Sequence, residues 1–242
     1  MKLDSEVFGL LAQAIRVGKV MGIEEIAMED NEKGTMFRGM ADVGGTPVVM
    51  LQDIDIELPF TGLGVPSASS FLIKEKLAYD NDDGYTVYAQ IDTMSNSVKS
   101  LDFKGGKFKM NINTAKTNII RAPKAIKDID VLAIEIEEDE AKTIKQAVSA
   151  FRKAELVDVV SDGDSVTLEI RSAEDGGSFT FDLENEPLEL NDGTDAFVHS
   201  YPVKTFLNLI DNMEDRVIKI GKQGVLNGSI DDIKLFIFPR RK

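Results

Sequence analysis

Pro66-Ser-Ala-Ser-Ser-Phe71-Leu-Ile-Lys74 returns, much altered, as Pro202-Val-Lys204-Thr-Phe206-Leu-Asn-Leu-Ile210 about 135 residues later. Each copy predicts the start of a short amphipathic helix, because proline is well tolerated in the first turn of a helix and aliphatic residues follow at helical spacing. Each copy is followed by three strand-like runs and preceded by a longer helical pattern, at 5–19 and at 138–153. An internal repeat with this offset predicts two similar domains rather than one irregular domain.

The stretch between the two copies has the character of a connector. Residues 114–128 show no clean hydrophobic period and contain Pro123. The bases of this stretch are Lys116, Arg121, Lys124 and Lys127. We therefore expect an N-terminal domain over 1–113, an interdomain connector over 114–128 and a C-terminal domain over 129–242. In each domain we expect two helices packed on antiparallel sheet, which is the α+β class.

The composition is that of a soluble globular protein, with 43% hydrophobic and 29% charged residues. No apolar run approaches the roughly 20 residues that cross a bilayer, and the first residues lack an apolar signal core. Cysteine is absent, which excludes disulfides, thiolate metal sites and a cysteine nucleophile. These features lead us to expect a cytoplasmic protein, in the host cytoplasm if the source is a virus, with no membrane partner.

The net charge of −14, from 42 acids and 28 bases, argues by itself against a polyanionic partner such as DNA. The distribution of the charges points the other way, because the acids crowd predicted loops while several bases fall on predicted helices. The clearest row of donors lies on the helix predicted at 138–153, at steps of three and four: Lys142, Lys145, Gln146, Ser149, Arg152 and Lys153.

A basic row on a single exposed helix is usually only a solvated face. The other three predicted helices carry bases as well: Arg16, Lys19, Lys74, Lys76 and Lys204. Four helices with bases in an otherwise acidic chain indicate one shared basic surface, with donors spaced to follow a phosphate backbone.

Familiar catalytic constellations are incomplete in this chain. His199 is the only histidine, so triads and zinc sites lack parts, and we expect it to be structural. Gly62-x-Gly64 is too short for a dinucleotide or phosphate loop and predicts a turn before a helix. The acid clusters at 162–164 and 192–195 lack calcium-loop spacing and predict solvated turns. We therefore expect no catalytic residue, no metal and no cofactor, although carboxylate pairs for glycoside chemistry stay open.

The order of elements resembles that of a DNA sliding clamp: helix, strands, a second helix after a Gly-x-Gly-x-Pro turn, strands, a connector, and the same again. The closing strand Ile233-Lys-Leu-Phe-Ile-Phe238, followed by Pro239, agrees. More narrowly, the chain resembles the two-domain clamps of the proliferating cell nuclear antigen type and of T4-like phages.

This resemblance implies a closed homotrimeric ring with helices around the hole and sheets outside. Such a clamp tethers the DNA polymerase as a processivity factor, has no chemistry of its own and needs a clamp-loader ATPase. The residues that would face duplex DNA, without reading its sequence, are Arg16, Lys19, Lys74, Lys76, Lys142, Lys145, Arg152, Lys153 and Lys204.

The resemblance also implies an apolar groove for partner peptides, under the connector and near the C-terminus. The matching positions are Met40, Val43, Ile119, Ile120, Ala122, Ile126, Phe238 and Pro239. The connector is basic here and the chain ends in Arg240-Arg-Lys242, whereas many relatives carry acids there. Such a rim suits acidic flanks on partner peptides, puts the usual peptide motif in doubt and favours a viral source.

Two other functions stay open at this point. A monomeric processivity subunit of the same fold would grip DNA by one basic face and release it steeply with salt. A structural ring or tube protein of a virion would need neither polymerase nor loader and would assemble beyond a trimer. A hydrolase that uses a carboxylate pair is a more remote third.

Overall fold

The computed structural model describes residues 1–32, 34–128, 130–151, 153–163, 165–172, 176–183, 189–190 and 196–240. The chain divides into two compact units. The first unit consists of 1–41 and 49–125, and the second of 42–48 and 126–242. Each unit contains two described helices and antiparallel strands, which confirms the α+β fold class expected from the sequence.

The first half of the chain contains two helices and seven strands among its described residues. Within the first unit, one sheet has the order β3-β2-β1-β4 and a smaller one the order β5-β6-β7. A short 3-10 turn, Thr117–Ile119, follows. The elements are α1 (Ser5–Val20), β1 (Ile26–Asn31), β2 (Gly34–Asp42), β3 (Pro47–Ile54), β4 (Gly62–Val65), α2 (Ala68–Asn81), β5 (Thr86–Ile91), β6 (Val98–Lys104) and β7 (Lys109–Asn113).

The second half repeats this plan. One run of strands has the order β11-β10-β9-β13, and another the order β12-β8-β14-β15-β16. The elements are β8 (Asp130–Glu135), α3 (Glu138–Ala150), β9 (Leu156–Ser161), β10 (Val166–Arg171), β11 (Ser178–Asp182), β12 (Glu189–Leu190), β13 (Phe197–Pro202), α4 (Val203–Asn212), β14 (Val217–Gly221), β15 (Leu226–Ile230) and β16 (Ile233–Ile237).

The predicted internal repeat is therefore present: each half has a helix, a run of strands, a second helix and three further strands. Four strands lie between the helices in the first half, and five, including the two-residue β12, in the second. The extra strand β8, which pairs with β14, has a counterpart in the first unit. There the N–H of Leu3 donates to the Val87 carbonyl (2.9 Å), so the residues before α1 lie along β5 as β8 lies along β14.

Side chains at the helix starts explain where the helices begin. The Asp4 carboxylate accepts the Glu6 N–H (2.8 Å), and Glu137 and Glu140 form a capping box at the start of α3. The α2 helix begins at Ala68 rather than at the proline, because the Ser67 hydroxyl accepts the Ser70 N–H and makes Ser67 the N-cap.

Two local features differ from what the sequence pattern indicates. Residues 47–58 read as one continuous strand, but β3 ends at Ile54, because the chain turns where the Ile56 N–H donates to the Ile54 carbonyl (2.9 Å) and the Thr35 hydroxyl donates to the Ile56 carbonyl. Gly62-x-Gly64 is not a turn but the start of β4, where a Cβ on Gly64 would lie 2.7 Å from the Ala115 carbonyl oxygen. Glycine is thus required for the close approach of two backbones.

Each unit has its own hydrophobic core. In the first, Phe8, Phe71 and Phe103 pack with ring centroids 5.7–6.3 Å apart, where tilted and edge-on aromatic contacts are favourable. In the second, Tyr201 and Phe206 are fully buried, and the Tyr201 hydroxyl donates to the Gly224 carbonyl (2.8 Å). These cores hold each pair of helices against strands of its own unit.

Candidate nucleic-acid interface and partner site

The helices differ in charge from the rest of the molecule. The four described helices together carry seven bases and seven acids, so their net charge is zero. The whole chain carries −14, which means that this entire excess lies outside the helices. The helices are therefore less hostile to a polyanion than the rest of the chain taken together.

In the first unit, two of the four bases expected to face DNA lie beside carboxylates. Arg16 on α1 pairs with Glu75 on α2 (3.2 Å), and the Lys19 ammonium lies 2.9 Å from a Glu24 oxygen. Lys74 is half-buried and Lys76 is exposed. The α1 and α2 donors thus share a region, but acids are interposed among them.

The same arrangement recurs in the second unit. Lys142 pairs with Glu138 and Asp139 (3.0 and 3.1 Å). These hydrogen bonds raise the pKa of Lys142, and the bond to Glu138 has the largest effect. Lys145 on α3 reaches Asp211 on α4 (2.6 Å). The remaining predicted DNA contacts in this unit are Lys153 and Lys204, both exposed, and Arg152, which lies outside the described residues.

Sequence reasoning counted the bases and overlooked their acidic partners. Exposed ion pairs of this kind contribute only about 0–1 kcal/mol each, so a phosphate can replace the carboxylate at little cost. Glu75 could have been recognised from the sequence as an acidic partner, because it lies between Lys74 and Lys76. Glu24 and Asp211 were not, since they come from other segments of the chain.

Glu24 is the most heavily hydrogen-bonded of these acids. Its carboxylate accepts from Ser69, both hydroxyl and N–H (2.9 Å for the latter), from Lys19 and from the Ser67 hydroxyl (3.0 Å). Led by the bond from the Ser69 hydroxyl, these contacts lower the Glu24 pKa to about 2 despite partial burial. Glu24 therefore fixes the start of α2 and the position of Lys19 together.

The connector is held in the first unit by a side chain that the sequence reasoning missed. The Arg38 guanidinium, 7% exposed, donates to both Glu29 carboxylate oxygens (2.6 and 3.3 Å). It also donates to the backbone carbonyls of Thr117 (3.1 Å), Ile120 (3.0 Å) and Ala122 (2.9 Å). Burial would raise the Glu29 pKa, but the hydrogen bonds and charge of Arg38 outweigh burial and hold it below its usual value.

The predicted groove residues of the first unit divide into accessible and inaccessible ones. Ile119 is 64% exposed and Met40 and Ala122 are partly exposed, so all three are open to a ligand. Ile120 is only 3% exposed and packs against Gly64. We therefore remove Ile120 from the predicted groove, because a docked peptide could not reach it.

The groove residues of the second unit are Val43, Ile126, Phe238 and Pro239, and all four are partly exposed. The Phe238 N–H donates to the Pro47 carbonyl (3.0 Å), which brings the end of the last strand to the turn that Val43 closes with Thr46 (2.9 Å). The structure thus places Val43 and Phe238 in the same neighbourhood of this unit.

The far end of the connector is tied to the second unit by Asp128. Its carboxylate accepts the N–H groups of Gln223 (3.1 Å) and Val225 (3.3 Å), in the turn after β14. His199 packs against Gly224 of that turn and stacks on Phe197 with ring centroids 4.8 Å apart. Burial lowers the His199 pKa, and the nearby Asp128 charge opposes that effect only in part.

Among the described strands, β7, β11 and the two-residue β12 each end a sheet with one edge that pairs with no other described segment. The β7 strand ends the sheet β5-β6-β7, and β11 ends the sheet β11-β10-β9-β13. At the other end of the latter sheet, the Arg240 N–H donates to the Ser200 carbonyl of β13 (2.8 Å). On α2, Ile73 is 71% exposed and Leu77 more than half exposed, although both are large and apolar.

In the part of the chain that the structure describes, no three His, Asp or Glu side chains converge as a metal site would require. None of the helices in that part has the length and apolar character needed to span a bilayer.

Comparison with solved structures identifies the architecture. The chain resembles A. fulgidus PCNA, in a complex with the C-terminal region of FEN-1, at 18% identity and a TM-score of 0.60, over 97% of this chain and 96% of that one. It resembles the C. crescentus beta sliding clamp at 12% identity and a TM-score of 0.67, over 100% of this chain but 65% of that longer one. In the PCNA2–PCNA3 complex of Sulfolobus tokodaii the values are 14% and 0.57, over 95% of each chain.

No protein-family model matches this chain, and no curated protein matches it in sequence. The likeness is therefore one of structure, and it extends over nearly the whole chain. The fold of this chain is that of the DNA sliding clamps.

Proposed function

We propose that this protein is a sliding clamp that encircles duplex DNA and tethers the replicative polymerase as a processivity factor. The single observation that carries the proposal is the clamp fold over 97% of the chain, with nearly the full length of A. fulgidus PCNA matched in turn. The charge distribution supports it, since the four helices are neutral in a chain of net charge −14.

DNA contact in this proposal is loose and independent of sequence. The α1 and α3 bases Arg16, Lys19, Lys142 and Lys145 sit in ion pairs near the surface, which can exchange a carboxylate for a phosphate without a large change in free energy. A closed ring retains its hold by topology, so weak contacts suffice and allow sliding. The acidic exterior would keep DNA from adhering elsewhere. The protein itself would carry out no chemistry, bind no cofactor and act in the cytoplasm, and a clamp-loader ATPase would open the ring.

We propose that copies join through the uncovered edges of β7 and β11 to form a homotrimer, as in clamps of the T4-like phage type. An antiparallel pairing that centres β7 on β11 sets Lys109 opposite Asp182 and Asn113 opposite Ser178, so that the charges are complementary. Exposed strand edges are sites of pairing between chains. The exposed Ile73 and Leu77 on α2 would be covered by the same contact.

Partner proteins would dock at the connector. The C-terminal region of FEN-1 is bound to the A. fulgidus neighbour, which makes peptide binding a reasonable expectation for this fold. The groove we propose consists of Met40, Val43, Ile119, Ala122, Ile126, Phe238 and Pro239. Lys116, Arg121 and Lys124 surround Ile119 in sequence, so partner peptides with acidic flanks would fit best.

The absence of cysteine permits a direct test of the ring. We would introduce Asn113→Cys and Ser178→Cys in one chain and dilute the protein until its oligomers dissociate. The rings would then be allowed to re-form in the presence of nicked circular DNA, and their edges would be joined with a short bismaleimide. We expect covalent products that stop at a closed trimer. After cross-linking, this trimer should stay on circular DNA in 1 M salt and leave the same DNA once it is cut.

The matched controls are the two single-cysteine variants, which can give dimers but not a closed trimer. Equal retention on circular and linear DNA, lost steeply with salt, would instead identify a monomeric subunit that grips DNA by one face. Products that continue beyond the trimer would identify a structural tube or filament protein. Either result would remove the proposed function.

A further inference from the structure

We propose that Arg38 is a positioning residue for the partner site, because it sets the course of the connector from Thr117 to Ala122. The use of the connector as a docking segment rests on the proposed function. The positioning itself rests on contacts within the first unit alone.

Arg38 has no donor to spare. Its guanidinium has five N–H groups, and five bonds leave it: two to Glu29 and one each to the carbonyls of Thr117, Ile120 and Ala122. A lysine could keep the charge opposite Glu29, but its single ammonium cannot span acceptors spread over six residues of connector. The planar fork of arginine is therefore what this position requires.

These bonds decide which side chains the connector presents. Because the carbonyls of Thr117, Ile120 and Ala122 are turned toward Arg38, the intervening side chains of Ile119 and Arg121 are exposed. A partner would therefore meet an isoleucine next to a guanidinium. That pair fits a segment with an apolar side chain followed by an acidic one.

The start of the connector is fixed independently of Arg38. The Gly64 N–H donates to the Ala115 carbonyl (3.0 Å) and the Ala115 N–H to the Gly64 carbonyl (2.8 Å). Loss of Arg38 would therefore release the connector only beyond this point, while Ala115 stays beside β4. The expected change is local, and this allows it to be separated from unfolding of the unit.

The test compares Arg38→Lys with the double variant Glu29→Met/Arg38→Met. Removing both charges relieves the burial of an unpaired ion, so the double variant should melt close to the unaltered protein. Its connector carbonyls nevertheless lose their donors. We expect trypsin to cut the native double variant after Arg121 about tenfold faster than the unaltered protein, with faster amide exchange over 117–122. Cleavage after Lys124 is not used, because Lys124 itself pairs with Glu29 (3.5 Å). Arg38→Lys should show the same loosening with its charge retained.

Arg16→Lys is the matched control. Arg16 also pairs with a glutamate, but its side chain is exposed and the pair, Arg16–Glu75, does not involve the connector. This variant should leave cleavage and exchange unchanged. If cleavage and amide exchange in the connector are unchanged in the double variant, the proposal is wrong. It is also wrong if amide exchange in β9 and β10 rises as much as in the connector, because that would mean general instability. Retention of cross-linked trimers on circular DNA tests the proposed function separately, so either idea can fail without the other.

Discussion

At the scale of single residues, the acids beside the helix bases are as informative as the bases. Glu24 accepts from two serines and a lysine, and its pKa is lowered to about 2. Its ionised form is therefore stabilised by folding. This contribution is complete above the ordinary pKa of 4.5 and is lost as the pH falls through about 2.

Glu24→Gln should therefore destabilise the protein at pH 7. The carboxylate is 41% exposed and partly screened, so we expect a loss of about 1 kcal/mol rather than the full value of the shift. Urea unfolding at pH 7 and pH 3 would measure it, and the difference from the unaltered protein should shrink at the lower pH. The exposed neighbour Glu25→Gln is the control. An equal loss in both variants would contradict the role given to Glu24.

His199 gives a second pH dependence. It arises from burial, which disfavours the charged form of the side chain, whereas hydrogen bonds favour the charged form of Glu24. Burial lowers the His199 pKa, the Asp128 charge partly opposes this, and Tyr201 lies in the same strand. Below a pH of about 6.5 the unfolded chain therefore binds a proton that the folded chain resists, and stability falls as the pH drops. We expect the free energy of unfolding to decrease less between pH 7.5 and pH 5.5 for His199→Gln than for the unaltered protein. Parallel curves would refute this explanation.

At the scale of elements, the sequence was sufficient for helices and order but not for edges. Pro66 and Pro202 predicted the second helix of each half. The repeat of the sequence around them predicted the order of helices and strands in the two halves. The sequence could not show that α2 begins only at Ala68, because that depends on which hydroxyl captures a free N–H. Nor could it show which strands end a sheet, since pairing joins segments far apart in the chain.

The uncovered edges lead to a charge-swap prediction. If β7 and β11 of different copies pair with Lys109 opposite Asp182, Lys109→Asp should place two like charges together and weaken the trimer. Light scattering over a dilution series should show dissociation at about tenfold higher protein concentration. Adding Asp182→Lys in the same chain should restore the trimer. A double variant as weak as the single one would exclude this register.

At the scale of the whole molecule, the balance of charge allows a test of the proposed contact with DNA. Glu75→Gln would leave Arg16 without its carboxylate partner on α2. We expect affinity for a short linear duplex at low salt to rise about threefold, and the slope of log affinity against log salt to steepen by up to about 1. Fluorescence anisotropy in a salt titration would measure both, with Glu25→Gln as control. No change in slope would mean that Arg16 does not reach phosphate.

Much of the molecular plan was predictable, and much of the site was not. Hydrophobic period and the repeat identify the fold, because they are properties of contiguous sequence. The Arg38–Glu29 pair with its three connector carbonyls was invisible, because a lone arginine in a strand pattern carries no sign of backbone acceptors about 80 residues away. The burial of Ile120 next to an exposed Ile119 was hidden for the same reason.

The carboxylates that accompany the helix bases bear on motion as well as on affinity. Wherever a phosphate departs from one of these bases, a tethered anion from the protein itself can take its place. The potential felt by the duplex would then change little from one base-pair step to the next. If the proposed ring forms, such a lining would present only shallow barriers to diffusion along the double helix.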